Sequence, residues 1–190
     1  MSPPRAHRTS RVAPPALMAL ALACCTLDAY AAEPDKYDTQ AVFLLNFSQF
    51  VDWPKEAFSS PQAALVIGVL GEDPFGRRLD ELAHGAIVKG HPVTVRRYAR
   101  VEDVRDCHIL FIGSSEEARI ARTMAALAGR DVLTVGDFEN FLRDGGVIRF
   151  VTLGDRKVRM HINLDAAKSA HLDISSKLLR PAYVVSADQD

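Results

Sequence analysis

The sequence predicts an α/β fold: a three-layer sandwich whose mixed, mostly parallel sheet has helices on both faces and a C-terminal hairpin. Three observations carry this. Short apolar runs of strand length recur at 64–70, 107–112 and 131–135. Segments with helical spacing or helix-start residues separate them. Finally, Gly145-Gly146 opens two strand-like segments around Gly154. Strands alternating with helices pair in parallel through right-handed crossovers, which places helices on both sides of the sheet.

The amino-terminal 31 residues stand apart from this pattern. Arg5, Arg8 and Arg11 form a basic leader, Ala16 to Leu27 an apolar core, and Ala29-Tyr30-Ala31 a small-x-small site. Together these are the parts of a cleaved secretory signal. Twelve apolar residues are too few for a bilayer, which takes about 20. Cys24 and Cys25 lie inside the core, but Ala21-Leu22-Ala23 lacks the large aliphatic residue that lipidation signals favour. Residues 32–190 are then one domain outside the cytoplasm. Losing three arginines and one aspartate takes the formal charge from −1 to −3. No basic surplus is left for phosphates, so nucleic acid is not an expected partner. Cys107 becomes the single, unpaired thiol, either packed in a strand or free for an intermolecular bond.

The first element should be a helix from Tyr37 to Asp52. Eight of the eleven residues from Ala41 to Val51 are apolar. Ala41, Leu44, Leu45, Ser48 and Val51 share one helical stripe, and Phe43, Phe47 and Phe50 form another. Pro54 disfavours helix at Trp53 and ends it. A helix apolar on two stripes is covered on two sides. Its cover is either its own domain or a subunit or partner, which makes Phe43, Phe47 and Phe50 a candidate interface and a homodimer one form of it.

Ala64–Leu70 reads as a buried strand, the loop 71–76 follows, and Arg77–His84 reads as a helix. Pro92–Tyr98 alternates like a half-buried strand, while Cys107–Ile112 is apolar enough to be central. Ser114-Ser115-Glu116-Glu117 fits a capping box opening a helix to about Ala128, closed by Gly129. Asp131–Val135 is a fourth strand, and Asp137 caps a short helix ending at Leu142. Val147–Thr152 and Lys157–Asn163 make the hairpin around a Gly154-Asp155 turn. Asp165–His171 and Ser175–Leu179 are two short helices before a polar tail.

Catalytic signatures are weak. The loop Gly71-Glu72-Asp73-Pro74-Phe75-Gly76 lies where α/β proteins hold phosphates, but it matches no nucleotide fingerprint and its carboxylates repel anions. Cys107 and His108 are neighbours on a strand and point to opposite faces, so they cannot form a thiolate-imidazole pair. The histidines at 7, 84, 91, 108, 161 and 171 have no metal-ligand spacing, and no nucleophile elbow surrounds Ser114-Ser115. No cofactor is expected. The hairpin is less routine. A two-residue turn sets Phe150 opposite Arg159 and Ile148 opposite His161, mixing apolar groups and cations on one face. Ile148, Phe150, Arg159 and His161 are therefore the first candidate partner-binding residues, with a helix-covered sheet face as the bland alternative.

Several stretches together resemble the YfiR-like family of periplasmic regulators. They are Ala41–Phe47, Phe50-Val51-Asp52-Trp53-Pro54, Val69–Gly76, Cys107–Ile112, Val132–Asp137, Phe141 with Gly145-Gly146, Ile162–Ala167 and Leu172–Leu179. The resemblance implies a non-enzymatic periplasmic repressor. Such a protein binds the periplasmic sensor domain of an inner-membrane diguanylate cyclase of the YfiN type, lowering cyclic di-GMP and restraining biofilm formation. It also implies relief by envelope or redox stress, sensed partly through disulfides. Here Gly68 stands where some relatives carry the cysteine that pairs with the one of the Cys-His motif. That leaves redox sensing by an internal disulfide without its partner. From another class, a periplasmic small-ligand-binding protein reporting to a sensor histidine kinase is the alternative.

Overall fold

Helix α1, Lys36–Phe50, starts the structure and stops as Val51 turns extended. It ends two residues earlier than its spacing suggests, because Val51–Asp52 (β1) pairs antiparallel with Asp173–Ile174 (β9). The structure is a computed structural model describing residues 35–154 and 157–185, which belong to one compact unit. The leader, with Cys24 and Cys25, therefore lies outside the described residues, as do Asp155 and the last five positions.

The other elements follow as β2 (Leu65–Leu70), α2 (Arg77–Ala83), β3 (Ile87–Val88), β4 (His91–Tyr98), β5 (Ile109–Ile112), α3 (Ile120–Leu127), β6 (Leu133–Gly136), β7 (Ile148–Thr152), β8 (Val158–Asn163), α4 (Leu164–Ser169), β9, α5 (Ser176–Leu179) and β10 (Tyr183–Val185). An eight-stranded sheet runs in the order β10-β8-β7-β6-β5-β2-β4-β3. Strands β4, β2, β5, β6 and β7 are mutually parallel. Their neighbours β3 and β8 run antiparallel, and β10 is parallel to β8. The chain starts at β2, steps to β4 and returns past it to β5, which is the doubly wound order with its reversal between β2 and β5.

Alternation on these strands feeds two cores. Ile67, Val69, Ile109, Phe111, Ile148 and Ile162 pack under α1, α2, α4 and α5. On the other face, Val66, Leu70, Leu110 and Ile112 pack under α3 and the turn carrying Phe138, Phe141 and Leu142. The three-layer sandwich is thus the observed fold.

Local readings fail where side chains found other partners. The segment from Ser114 begins as a 3-10 turn through Arg119, with no side-chain cap, and becomes α-helical only at Ile120. In place of a capping box, Ser115 Oγ accepts from Glu72 N–H at 2.9 Å, and buried Glu116 takes Arg119 at 2.6 Å. The stretch after Asp137 is a series of turns, not a helix. In the supposed tail, Tyr183-Val184-Val185 adds β10 to the sheet edge.

The hairpin register is the consequential correction. Leu153 N–H bonds the Lys157 carbonyl at 3.0 Å, so three residues separate the paired ends instead of two. Ile148 then pairs with Ile162, Phe150 with Met160, Arg149 with His161 and Val151 with Arg159. A one-residue slip moves every side chain relative to its neighbours across the ladder. The expected mixed face is resolved into an apolar inner face and a cationic outer one.

Candidate functional site

Three places were candidates, and the fold treats each differently. The first is the reversal between β2 and β5, where doubly wound proteins bind ligands. Here the two loops close on each other. A Cβ on Gly113 would lie 2.9 Å from the Glu72 carbonyl, and one on Gly71, at φ +85°, 2.5 Å from Ser115 Oγ. The N–H groups of Phe75 and Gly76 are taken by Asp73 Oδ1 at 2.8 and 3.2 Å. Arg97 clamps the loop from β4, reaching Asp73 at 2.9 Å and Asp80 at 2.6 Å. A carboxylate occupies the place an anion would need, so the loop is a self-capped turn.

The second is Cys107-His108. Cys107 packs in the α3-side core and donates to the Ile109 carbonyl at 3.1 Å. Burial pushes its thiol up to about 12, so almost no thiolate exists near neutrality. His108 lies on the opposite side against Phe58, with ring centroids 4.3 Å apart. The two side chains therefore form no thiolate-imidazole pair, and the Cys107 thiol is free and buried.

The third is the hairpin. Ile148 and Phe150 are 0 % and 2 % exposed, and Phe150 stacks on Phe47 at 5.8 Å and faces Phe43 at 6.1 Å. Two of the four expected contact residues are thus core. Phe47 is buried too, while Phe43 and Phe50 are half-buried against the same core. The second apolar stripe of α1 is accounted for within the domain.

Arg159 and His161 instead lie on the opposite face of the hairpin, the first exposed and the second half-buried. With Val151, Leu153, Ala182 and Tyr183 they line an open groove of about 400 Å³. Tyr183 stands 5.1 Å from His161, ring to ring. Leu153, Tyr183 and Val184 are 46 %, 62 % and 43 % exposed, and they gather at this one sheet edge. Arg159 makes no ion pair with any described residue, and no carboxylate of a described residue lines the groove. Sequence reasoning missed Leu153 and Tyr183. The aromatic and β-branched run at 183–185 was the available signal.

Among the described residues, no three His, Cys, Asp or Glu side chains gather as metal ligands. No helix among them is long and apolar enough to cross a membrane. A model of the YfiR/HmsC-like family matches residues 37–183. The chain belongs to the YfiR/HmsC-like family. Comparison with curated proteins gives no match.

The YfiR-like motifs now have physical roles. Asn163 caps α4, its Oδ1 accepting from Asp165 and Ala166 N–H at 3.1 and 3.0 Å. Phe141 is fully buried beside Gly136 and Gly146. Trp53-Pro54 turns the chain from β1 into the strap that leads to β2. All of these maintain the fold.

Proposed function

We propose that this YfiR-like protein is a non-enzymatic periplasmic regulator. It binds the periplasmic sensor domain of an inner-membrane signalling protein, with a diguanylate cyclase as first choice, and holds it inactive so that cyclic di-GMP falls. The observation that supports this reading is the outer hairpin face. Exposed Tyr183 and Leu153 supply apolar anchors there, and Arg159 supplies a cation without a described partner. Aromatic and arginine anchors of this kind dominate interface energetics. Inhibition then requires tighter binding to the sensor's inactive state than to its active one.

The test is genetic and biochemical. Deleting the gene should raise cyclic di-GMP, and the wild-type gene should restore it. Arg159→Glu and Tyr183→Ser should fail to restore it and should bind the sensor domain at least about tenfold more weakly. Melting temperatures should hold, because both side chains are exposed. Normal repression by both variants would remove the groove from the interface. Unchanged cyclic di-GMP in the deletion would refute the regulatory reading itself.

Export is part of the proposal. Protein recovered from the periplasm should begin at Ala32, as amino-terminal sequencing would show. An intact leader, or a lipid on Cys24 or Cys25, would contradict it.

A further inference from the structure

The chain between β1 and β2 crosses the amino ends of β2, β4 and β5 as a strap, and aromatic rings fasten it. Phe58 lies between two imidazoles, 3.9 Å from His91 and 4.3 Å from His108, nearly parallel to both at 15° and 24°. Trp53 meets His108 edge-on at 6.1 Å. At the far end, the Ala63 carbonyl lies 2.8 Å from His91 Nδ1. A carbonyl only accepts, so His91 Nδ1 carries a proton.

His108 has the opposite arrangement. Its Nδ1 accepts from Val66 N–H at 3.1 Å, so in the closed structure that nitrogen must be bare. His108 is 3 % exposed, and its Nε2 makes no hydrogen bond of good geometry with a described residue, the Ala57 backbone offering it only a weak one. Protonating Nδ1 would set one N–H against another and place a cation in an aromatic stack without water. The closed strap therefore tolerates only neutral His108.

We propose that the strap Trp53–Ala63 is a proton-operated latch, closed while His108 is neutral and released when His108 is protonated. Each element around the ring bears on this. Burial, first, and the nearby His91 disfavour the cation; the Ala57 backbone and Asp106, ahead of β5, favour it. Lys55, Glu56 and Arg105 flank the site as exposed residues. Lys89 is occupied with Asp52 at 2.5 Å and the Val51 carbonyl at 2.8 Å, which pins β1 and confines release to the strap. Because the folded ring sits below the ordinary imidazole value of about 6.5, the latch is fully closed above that pH. It opens as pH falls below it toward the folded value. The inference is independent of the regulatory reading above.

Trp53 is the sole tryptophan of the chain, so its fluorescence reports the strap directly. Titrating the full chain from about pH 8 to about pH 5 should give a reversible red shift with a midpoint below about 6.5. Far-UV circular dichroism should stay constant across it. His108→Asn keeps an acceptor for Val66 N–H but cannot titrate, and should abolish the shift. His91→Asn should keep it, since it leaves the Val66 N–H to His108 Nδ1 bond in place. In the wild-type protein, amide exchange at residues 58–63 should quicken over the same window while β2 and β5 stay protected. Flat Trp53 emission, a shift surviving in His108→Asn, or opening only with global unfolding would overturn the latch. If His108→Asn does not fold, the wild-type exchange pattern decides: no local opening in that window rejects it.

Discussion

Phe141→Ala should destabilise the protein by about 3–5 kcal/mol, the range for emptying a buried aromatic site. For a chain of this size that is a fall of roughly 10 °C or more in melting temperature. Phe141 is fully buried and meets Phe138 edge-on at 5.2 Å. Its ring occupies space that exists only because two neighbours are glycine. A Cβ on Gly136 would lie 2.6 Å from the ring, and one on Gly146 would lie 2.3 Å from it and 2.7 Å from the Phe141 carbonyl. Gly146 N–H also bonds that carbonyl at 2.9 Å, so the backbone has little room to retreat. The complementary change, Gly146→Ala, should therefore cost about 1–3 kcal/mol by overpacking. The two losses should not add, because the alanine ring-site leaves space for the new methyl. Denaturant midpoints of the two single variants and the double variant measure this. Additive losses, or a Phe141→Ala cost below about 1 kcal/mol, would show that the ring does not rest on the glycines.

The same motif shows what a sequence can and cannot disclose. The apolar runs of β2, β5 and β6 were legible because burial on both faces demands unbroken hydrophobicity. The α1 stripes were legible for the same reason, although their periodicity could not say what covered them. Phe150 answers that question, and it comes from a strand about a hundred residues later. The hairpin register was not legible. It depends on whether two or three residues sit between Leu153 and Lys157, and Gly154 allows either. That one residue separates a mixed recognition face from an ordinary inner face with cations outside. Ser115 and Glu116 failed for a different reason. Their pattern satisfies a local capping rule, but Glu72 N–H and Arg119 compete for the side chains and prevail in three dimensions. Strands of two or three residues, such as β1, β9 and β10, carry too few side chains to leave a period. The latch residues were hidden likewise: Phe58, His91 and His108 are unremarkable apart and informative only when stacked.

Gly68→Cys should make stability depend on redox state by about 4 kcal/mol. Gly68 sits in the middle of β2, and a Cβ there would lie 2.7 Å from Cys107 Sγ. That is too close for unbonded atoms but near the separation, about 3 Å, of a Cβ from the far sulfur of a disulfide. A sulfur carried by residue 68 would thus stand within bonding reach of Cys107. Oxidised, the variant would close a loop of roughly 40 residues, worth about 4 kcal/mol through the unfolded chain. Reduced, it would suffer the overlap, with Tyr98 Cε2 at 2.7 Å and Leu110 Cδ1 at 2.9 Å as further obstacles. The reduced form should fall about 1–3 kcal/mol below wild type. Because burial holds the Cys107 thiol at about 12, exchange in the native state should be slow. The bridge should therefore form best during refolding under an oxidant. Thiol titration and unfolding midpoints, with and without reductant, measure both forms. Wild type should show no such redox dependence, since Cys107 is its only described cysteine and is free. Two free thiols in the refolded variant, or equal midpoints under both conditions, would mean that Tyr98 and Leu110 keep the second sulfur out of reach.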